Sequence, residues 1–216
     1  GSGSDTLTSI ENLFGSAYAD RLTGNTGANT LDGGAGSDTL VGGDGSDGYF
    51  VRDGGDVVSE TNADLATGGT DTVYSSWSAY TLTANVENGR ILSTGAANLT
   101  GNTLNNFLYA GAGNNGLNGG SGIDTVSYAY GLAGTSGVTV NLAVSTAQAT
   151  GGSGSDTLTS IENLIGSAYA DKFTGNTGAN SLGGGAGNDT LDGGAGSDTM
   201  AGGDGSDGYF VRDGGD

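Results

Sequence analysis

Apolar residues recur singly along this chain at an interval of nine. Between residues 92 and 127 they fall at Leu99, Leu108, Leu117 and Val126, and near the end at Leu191, Met200 and Tyr209. The six positions before each are small and polar, and nearly all of them form turns. Gly reaches positive φ without steric cost, and Asp or Asn ties its side chain to nearby backbone. Each nine-residue unit is therefore expected to hold a six-residue turn and a three-residue strand whose middle side chain points inward. One apolar residue in nine covers no conventional core. Coils of two units each, stacked, would align these residues into a thin column between two sheets, giving an all-β parallel solenoid.

The unit is clearest at Gly184 to Phe210, which reads GGAGNDTLD, GGAGSDTMA, GGDGSDGYF. Full GGxGxD matches begin at Gly33, Gly42, Gly119, Gly151, Gly184, Gly193 and Gly202. A Gly-Asp pair that merely makes a good turn accounts for one occurrence, not for Asp at the sixth place seven times. Stacked coils lie about 4.8 Å apart, and calcium holds oxygens at roughly 2.3–2.6 Å. An ion between two turns reaches both. With two units per coil, turns on one edge are eighteen residues apart, which pairs Asp189 with Asp207 and Asp171 with Asp189. Without a cation, these carboxylates repel.

A longer repeat lies above the short one. Residues 3–40 and 154–191 are near copies, both opening GSDTLTSIENL, and both copies end GGDGSDGYFVRDGGD, at Asp56 and Asp216. The organisation expected is a roll over 1–50, an irregular β insertion over 51–91, a degenerate roll over 92–127, a β-hairpin insertion over 128–150 and a second roll over 151–216. The aromatic group Val73, Tyr74, Trp77 and Tyr80 is expected to brace the roll, with a ligand platform as the alternative. The chain starts without Met and lies inside its own long repeat, so a fragment of a longer array is expected, with a VVSE-like continuation after Asp216.

Composition sharpens this reading. Of 216 residues 47 are Gly, none is Pro, Cys or His, and the net charge is −19. Such a chain would ordinarily be disordered; the repeat implies that it folds with its ion. Five basic residues make nucleic acid and anionic membranes poor partners, and no apolar run is long enough to insert in a bilayer. Absence of His removes His-activated nucleophiles and zinc-protease motifs. The GxGxxG matches at Gly43–Gly48, Gly111–Gly116 and Gly203–Gly208 fall within the nine-residue frame and open no helix. No GxSxG occurs, and the regular recurrence of carboxylates argues for ligation rather than catalysis. No enzyme is expected.

These motifs resemble the repeats-in-toxin (RTX) hemolysin-type calcium-binding nonapeptide proteins, and segments such as YFVRDGGDVVSE and SIENLIGSAYAD resemble the large bacterial surface proteins of that type. The resemblance implies a parallel β-roll, calcium, folding outside the cell and export by a type I secretion apparatus. It also implies a ligand rule: carbonyls of the second and fourth places plus Asp from one turn, and carbonyls of the first and third places plus Asp from the turn eighteen residues on. Carried over, Gly185, Gly187 and Asp189 face Gly202, Asp204 and Asp207; Asn176, Gly178 and Asn180 face Gly193, Ala195 and Asp198. In the first copy, Asn25, Gly27 and Asn29 face Gly42, Asp44 and Asp47, and Ser16, Tyr18 and Asp20 face Gly33, Ala35 and Asp38. Asn106 with Asp124 makes a weaker site, and Asp5 and Asp156, which head the two long copies, are further candidates. The Thr-rich ladder of ice-binding relatives is missing. The expected function is a calcium-dependent structural module of a secreted or surface protein, contacting neighbouring repeats of the same or identical chains. The alternative is the C-terminal secretion and folding region of an exported enzyme or toxin.

Overall fold

The computed structural model describes residues 10–62, 66–131, 134–212 and 215–216. Among them no helix occurs, and most strands are three or four residues long. Glycine-rich turns interrupt the chain before a strand can lengthen. Successive strands alternate between two faces of a parallel β-roll. One face is a continuous sheet of ten strands running from Asn12–Phe14 to Thr199–Asp204. The opposite face is divided into sheets of three, five and four strands.

Register follows the nine-residue count doubled. Leu13 pairs with Leu31 and Leu31 with Tyr49, and in the second copy Leu164 pairs with Leu182 and Leu182 with Met200. Opposite them run Leu22, Leu40 and Val58, then Phe173, Leu191 and Tyr209. The inward members close into one column, in which Leu31, Leu40, Leu99, Leu108, Leu164 and Leu191 are fully buried. Met200 is only partly buried and Tyr209 is 47% exposed, because they lie in the last strands of their two sheets, with no described strand beyond them.

Two stretches expected as insertions belong to the stack. Within 51–91, Val57–Ser59, Thr72–Ser75 and Asn88–Ile91 are parallel rungs, with Tyr49 facing Val73 and Val73 facing Gly89. The parallel ladder persists through uneven steps, with Gly48 paired with Thr72 and Thr72 with Asn88. Val73 thus enters the core, Tyr74 stacks on Phe50 across the outer face at 5.0 Å, and Tyr80 packs partly against the column. Within 128–150, Thr139–Asn141 joins the roll beside Lys172–Thr174. The hairpin forms later than expected: Gln148–Gly151 pairs antiparallel with Gly154–Thr159. Each long copy also carries a clamp, Arg52 bidentate to Asp32 and Arg212 bidentate to Asp192.

Because one side chain per rung fills the column, Leu164→Ala is expected to cost about 2–5 kcal/mol. Thr26→Ala, at an exposed turn position, should stay within about 0.5 kcal/mol. Denaturant midpoints in saturating calcium compare the two.

Candidate metal sites of the stacked turns

Six of the seven GGxGxD turns share one backbone form. Gly185 and Gly187, at the second and fourth places, have φ of 104° and 131°, and the pairs Gly34/Gly36, Gly43/Gly45, Gly120/Gly122, Gly194/Gly196 and Gly203/Gly205 repeat this. Only glycine is at ease there, and space gives a second reason. A Cβ on Gly187 would lie 2.5 Å from the backbone of Tyr169 in the turn beneath.

The sixth-place side chains form two ladders, one on each edge of the roll. Each backbone N–H donates to one carboxylate oxygen of the next coil. On one edge Asn29 donates to Asp47 at 2.7 Å, Asn106 to Asp124 at 2.7 Å and Asn180 to Asp198 at 2.8 Å. On the other, Asp20 donates to Asp38 at 2.9 Å, Asp171 to Asp189 at 2.8 Å and Asp189 to Asp207 at 3.0 Å. The pairings expected at eighteen residues are therefore all formed.

The second oxygen of these carboxylates separates two kinds of turn. In open turns, Oδ2 of Asp38, Asp47, Asp124, Asp189 and Asp198 is buried without a donor. Beside Gly184 it meets another acceptor: the atoms nearest to where a Cβ would sit are Asp189 Oδ2 and the carbonyl of Gly202. A carboxylate and a carbonyl turned toward one point with no proton between them suit a hard cation. In closed turns the second-place N–H donates to the sixth-place oxygen instead: Ser16 to Asp20 at 2.6 Å, Asn25 to Asn29 at 2.6 Å, Ser167 to Asp171 at 2.6 Å and Asn176 to Asn180 at 2.8 Å. Asparagine adds its own donor there, and Asn180 Nδ2 bonds the Glu162 carbonyl at 2.8 Å. Asn106 Nδ2 likewise bonds the Val86 and Glu87 carbonyls, whereas Asn29 Nδ2 is buried without a partner.

The four carried-over sets are stacked as turns on turns. Gly202 O lies beside Gly184, Gly193 O beside Gly175, Gly42 O beside Gly24 and Gly33 O beside Gly15. The second-place carbonyls of Ser16 and Asn176 accept from Ala35 N at 3.1 Å and Ala195 N at 3.2 Å. Gly187 N donates to Asp204 O at 2.8 Å, the Gly178 carbonyl lies against Gly196, and Gly27 lies against Gly45. The Asp44 carboxylate turns away to Asn62 Nδ2 at 2.7 Å. Asp156 differs from the rest. Its GGSGSD segment folds as the hairpin turn, and its free oxygen accepts from the hydroxyls of Thr150 at 3.0 Å and Tyr128 at 3.2 Å. That carboxylate is satisfied by protein donors and faces no open turn. Asp5 lies outside the described residues.

Sequence reading missed several rungs. Asp56, Asp71, Glu87 and Glu162 accept from Asp38, Asp47, Asp71 and Asp124. GGTDTV at 68–73 is a shortened GGxGxDTL, a signal for Asp71. The glutamates carry no such frame.

Burial and stacked charge raise these carboxyls. Asp38, Asp124 and Asp189 lie above the ordinary carboxylate range, first through burial, with Asp207 adding to Asp189. Burial pushes Asp47 to about 6 and Asp71 to about 7, the latter helped by the Asp47 charge. Glu60 is pushed to about 8 by burial and by Asp71 and Asp47; the Gly43 N–H, too poorly placed for a hydrogen bond, offsets only part.

A family model described as the RTX calcium-binding nonapeptide repeat matches four times, at residues 14–49, 93–126, 159–191 and 174–209. The chain belongs to that RTX family. No curated protein matches the chain. The RTX repeats bind calcium, and the chain is a calcium-binding repeat module of the kind found in secreted bacterial proteins. The donor-free Oδ2 atoms fit that ion.

A raised carboxyl holds a proton in the ion-free roll that the unfolded chain has released. Its contribution is complete below the unfolded values of 3.8 and 4.5 and is lost as pH rises through about 6, 7 and 8 for Asp47, Asp71 and Glu60. Circular dichroism of the metal-stripped chain should therefore show most β-structure in mild acid and least in mild alkali. In saturating calcium the dependence should reverse across this window, since protons and calcium compete for the same oxygens.

Proposed function

We propose that this chain is a non-enzymatic, calcium-locked rod segment of a bacterial cell-surface protein, serving as a stalk, lattice or filament component. The observation that carries this reading is the single ten-stranded sheet that runs through both long copies. Each coil touches chiefly its neighbours, so adding coils lengthens the body without altering its core. The matching Arg52–Asp32 and Arg212–Asp192 clamps support it further, since they give the two copies equivalent joints. A non-catalytic role fits the carboxylates, which recur rung by rung instead of converging with other chemistry in one cleft. Export through a type I apparatus suits a chain whose self-repelling acids keep it unfolded at cytosolic calcium. The acidic turns would then take up calcium outside and could bridge to neighbouring rods.

Small-angle X-ray scattering tests this. In millimolar calcium the chain should scatter as a narrow, stiff rod, and in chelator as an expanded coil. A compact, calcium-indifferent particle would remove the basis for a calcium-locked rod.

A further inference from the structure

The coil that breaks the period adds two carboxylates from outside the nonapeptide frame, Glu60 and Asp71, to the frame's Asp47. Val41 pairs with Ser59 across the opposite face, so Glu60 stands one coil above Gly42, where Gly42 itself stands above Gly24. In the neighbouring turns, the first-place residue of the upper coil turns its carbonyl toward the glycine below, as Gly42 does to Gly24. Over Gly42, a carboxylate takes that place. The atoms nearest to where a Gly42 side chain would begin are Tyr49 Oη, Asp47 Oδ2 and Glu60 Oε1. Asp71 completes the group: one oxygen each from Asp47, Glu60 and Asp71 lies within 4.8 Å of the others.

None of these oxygens sits in water. Glu60 is 7% exposed, Asp47 2%, Asp71 1% and Tyr49 0%. Both Glu60 oxygens, Asp47 Oδ2 and Tyr49 Oη lack a hydrogen-bond partner. The same GGDGSDGYF sequence in the second copy behaves differently, for there Tyr209 Oη accepts from Gly202 N at 2.7 Å. Unpartnered buried acceptors of like charge are costly. Two oxygens on one calcium ion lie at most about 5 Å apart, twice its bond length, and this cluster meets that limit.

We propose that Glu60 and Asp71, two carboxylates from outside the repeat frame, complete an enclosed calcium site at the open turn of Asp47, with the Tyr49 hydroxyl beside them. The all-oxygen set suits a hard cation over zinc or copper. Burial suits calcium over magnesium, which retains its waters. The ion joins two consecutive levels of the roll, the turn of Asp47 and the turn that carries both Glu60 and Asp71, where the chain takes a step of 24 residues in place of 18. It staples the joint between the first run of repeats and the coils that follow.

Equilibrium dialysis of calcium against the 216-residue chain, with terbium titration as a second readout, tests the assignment. Glu60→Gln keeps shape and removes charge. It should bind one fewer calcium ion per chain, while circular dichroism in calcium shows the roll intact. Tyr49→Phe should keep the calcium count but lose part of the tyrosine-sensitised terbium emission, because Tyr49 is the ring at the site. This second variant decides the matter even if Glu60→Gln folds poorly. An unchanged calcium count in Glu60→Gln, or unchanged terbium emission in Tyr49→Phe, would overturn the site. Either result would leave the calcium-dependent rod standing, since that is read from other turns.

Discussion

Everything in this fold rests on carboxylates that are half satisfied. A sixth-place Asp accepts the amide of the coil below through one oxygen, as Asp189 does from Asp171 and Asp207 does from Asp189. The other oxygen of Asp189 is buried without a donor and turned toward a carbonyl of the next coil. Asp124 repeats the arrangement against the Ser160 carbonyl, because strand spacing fixes the distance between rungs. A cation relieves the repulsion and joins the two turns. Without one, the ladder opposes the stack it helps to define.

The sparse core makes that electrostatic balance decisive. Leu31, Leu108 or Leu164 each fills its rung completely, but a rung offers only one or two such side chains against the conformational freedom of many glycines. Burial of one leucine is worth about 1.5–3 kcal/mol, too little to order nine residues. Ion binding and folding are thus one event in the open turns. The closed turns lower the demand locally: Asn29, Asn106 and Asn180 bring no charge and accept a hydrogen bond from their own turn. Alternation of the two kinds gives a roll held by calcium at some levels and by amide hydrogen bonds at others.

Much of this was legible in the sequence, because the repeat states its geometry directly. The period of nine, doubled, gave the register of Leu13 on Leu31 and of Leu182 on Met200. The GGxGxD frame marked Asp38, Asp47, Asp124, Asp189 and Asp198, the open turns with donor-free oxygens. What stayed hidden lies where the period fails. Glu87 and Glu162 reach the ladder through longer side chains, and Glu60 comes against Asp47 without joining it, all from segments without a frame, so spacing says nothing of them. Asp156 misled in the opposite way. It sits in a perfect motif, yet the antiparallel pairing of Gln148–Gly151 remakes its turn, a long-range contact that no local pattern reports.

The central claim is that the ladder cannot stand without its ion. It is tested most directly by titrating calcium into the metal-stripped chain at neutral pH while following far-ultraviolet circular dichroism, with magnesium as control. A cooperative coil-to-β transition specific to calcium, at about 10⁻⁴–10⁻³ M for extracellular sites, is the predicted result. Full strand signal already present in chelator would contradict it, and would mean that the apolar column alone holds the roll.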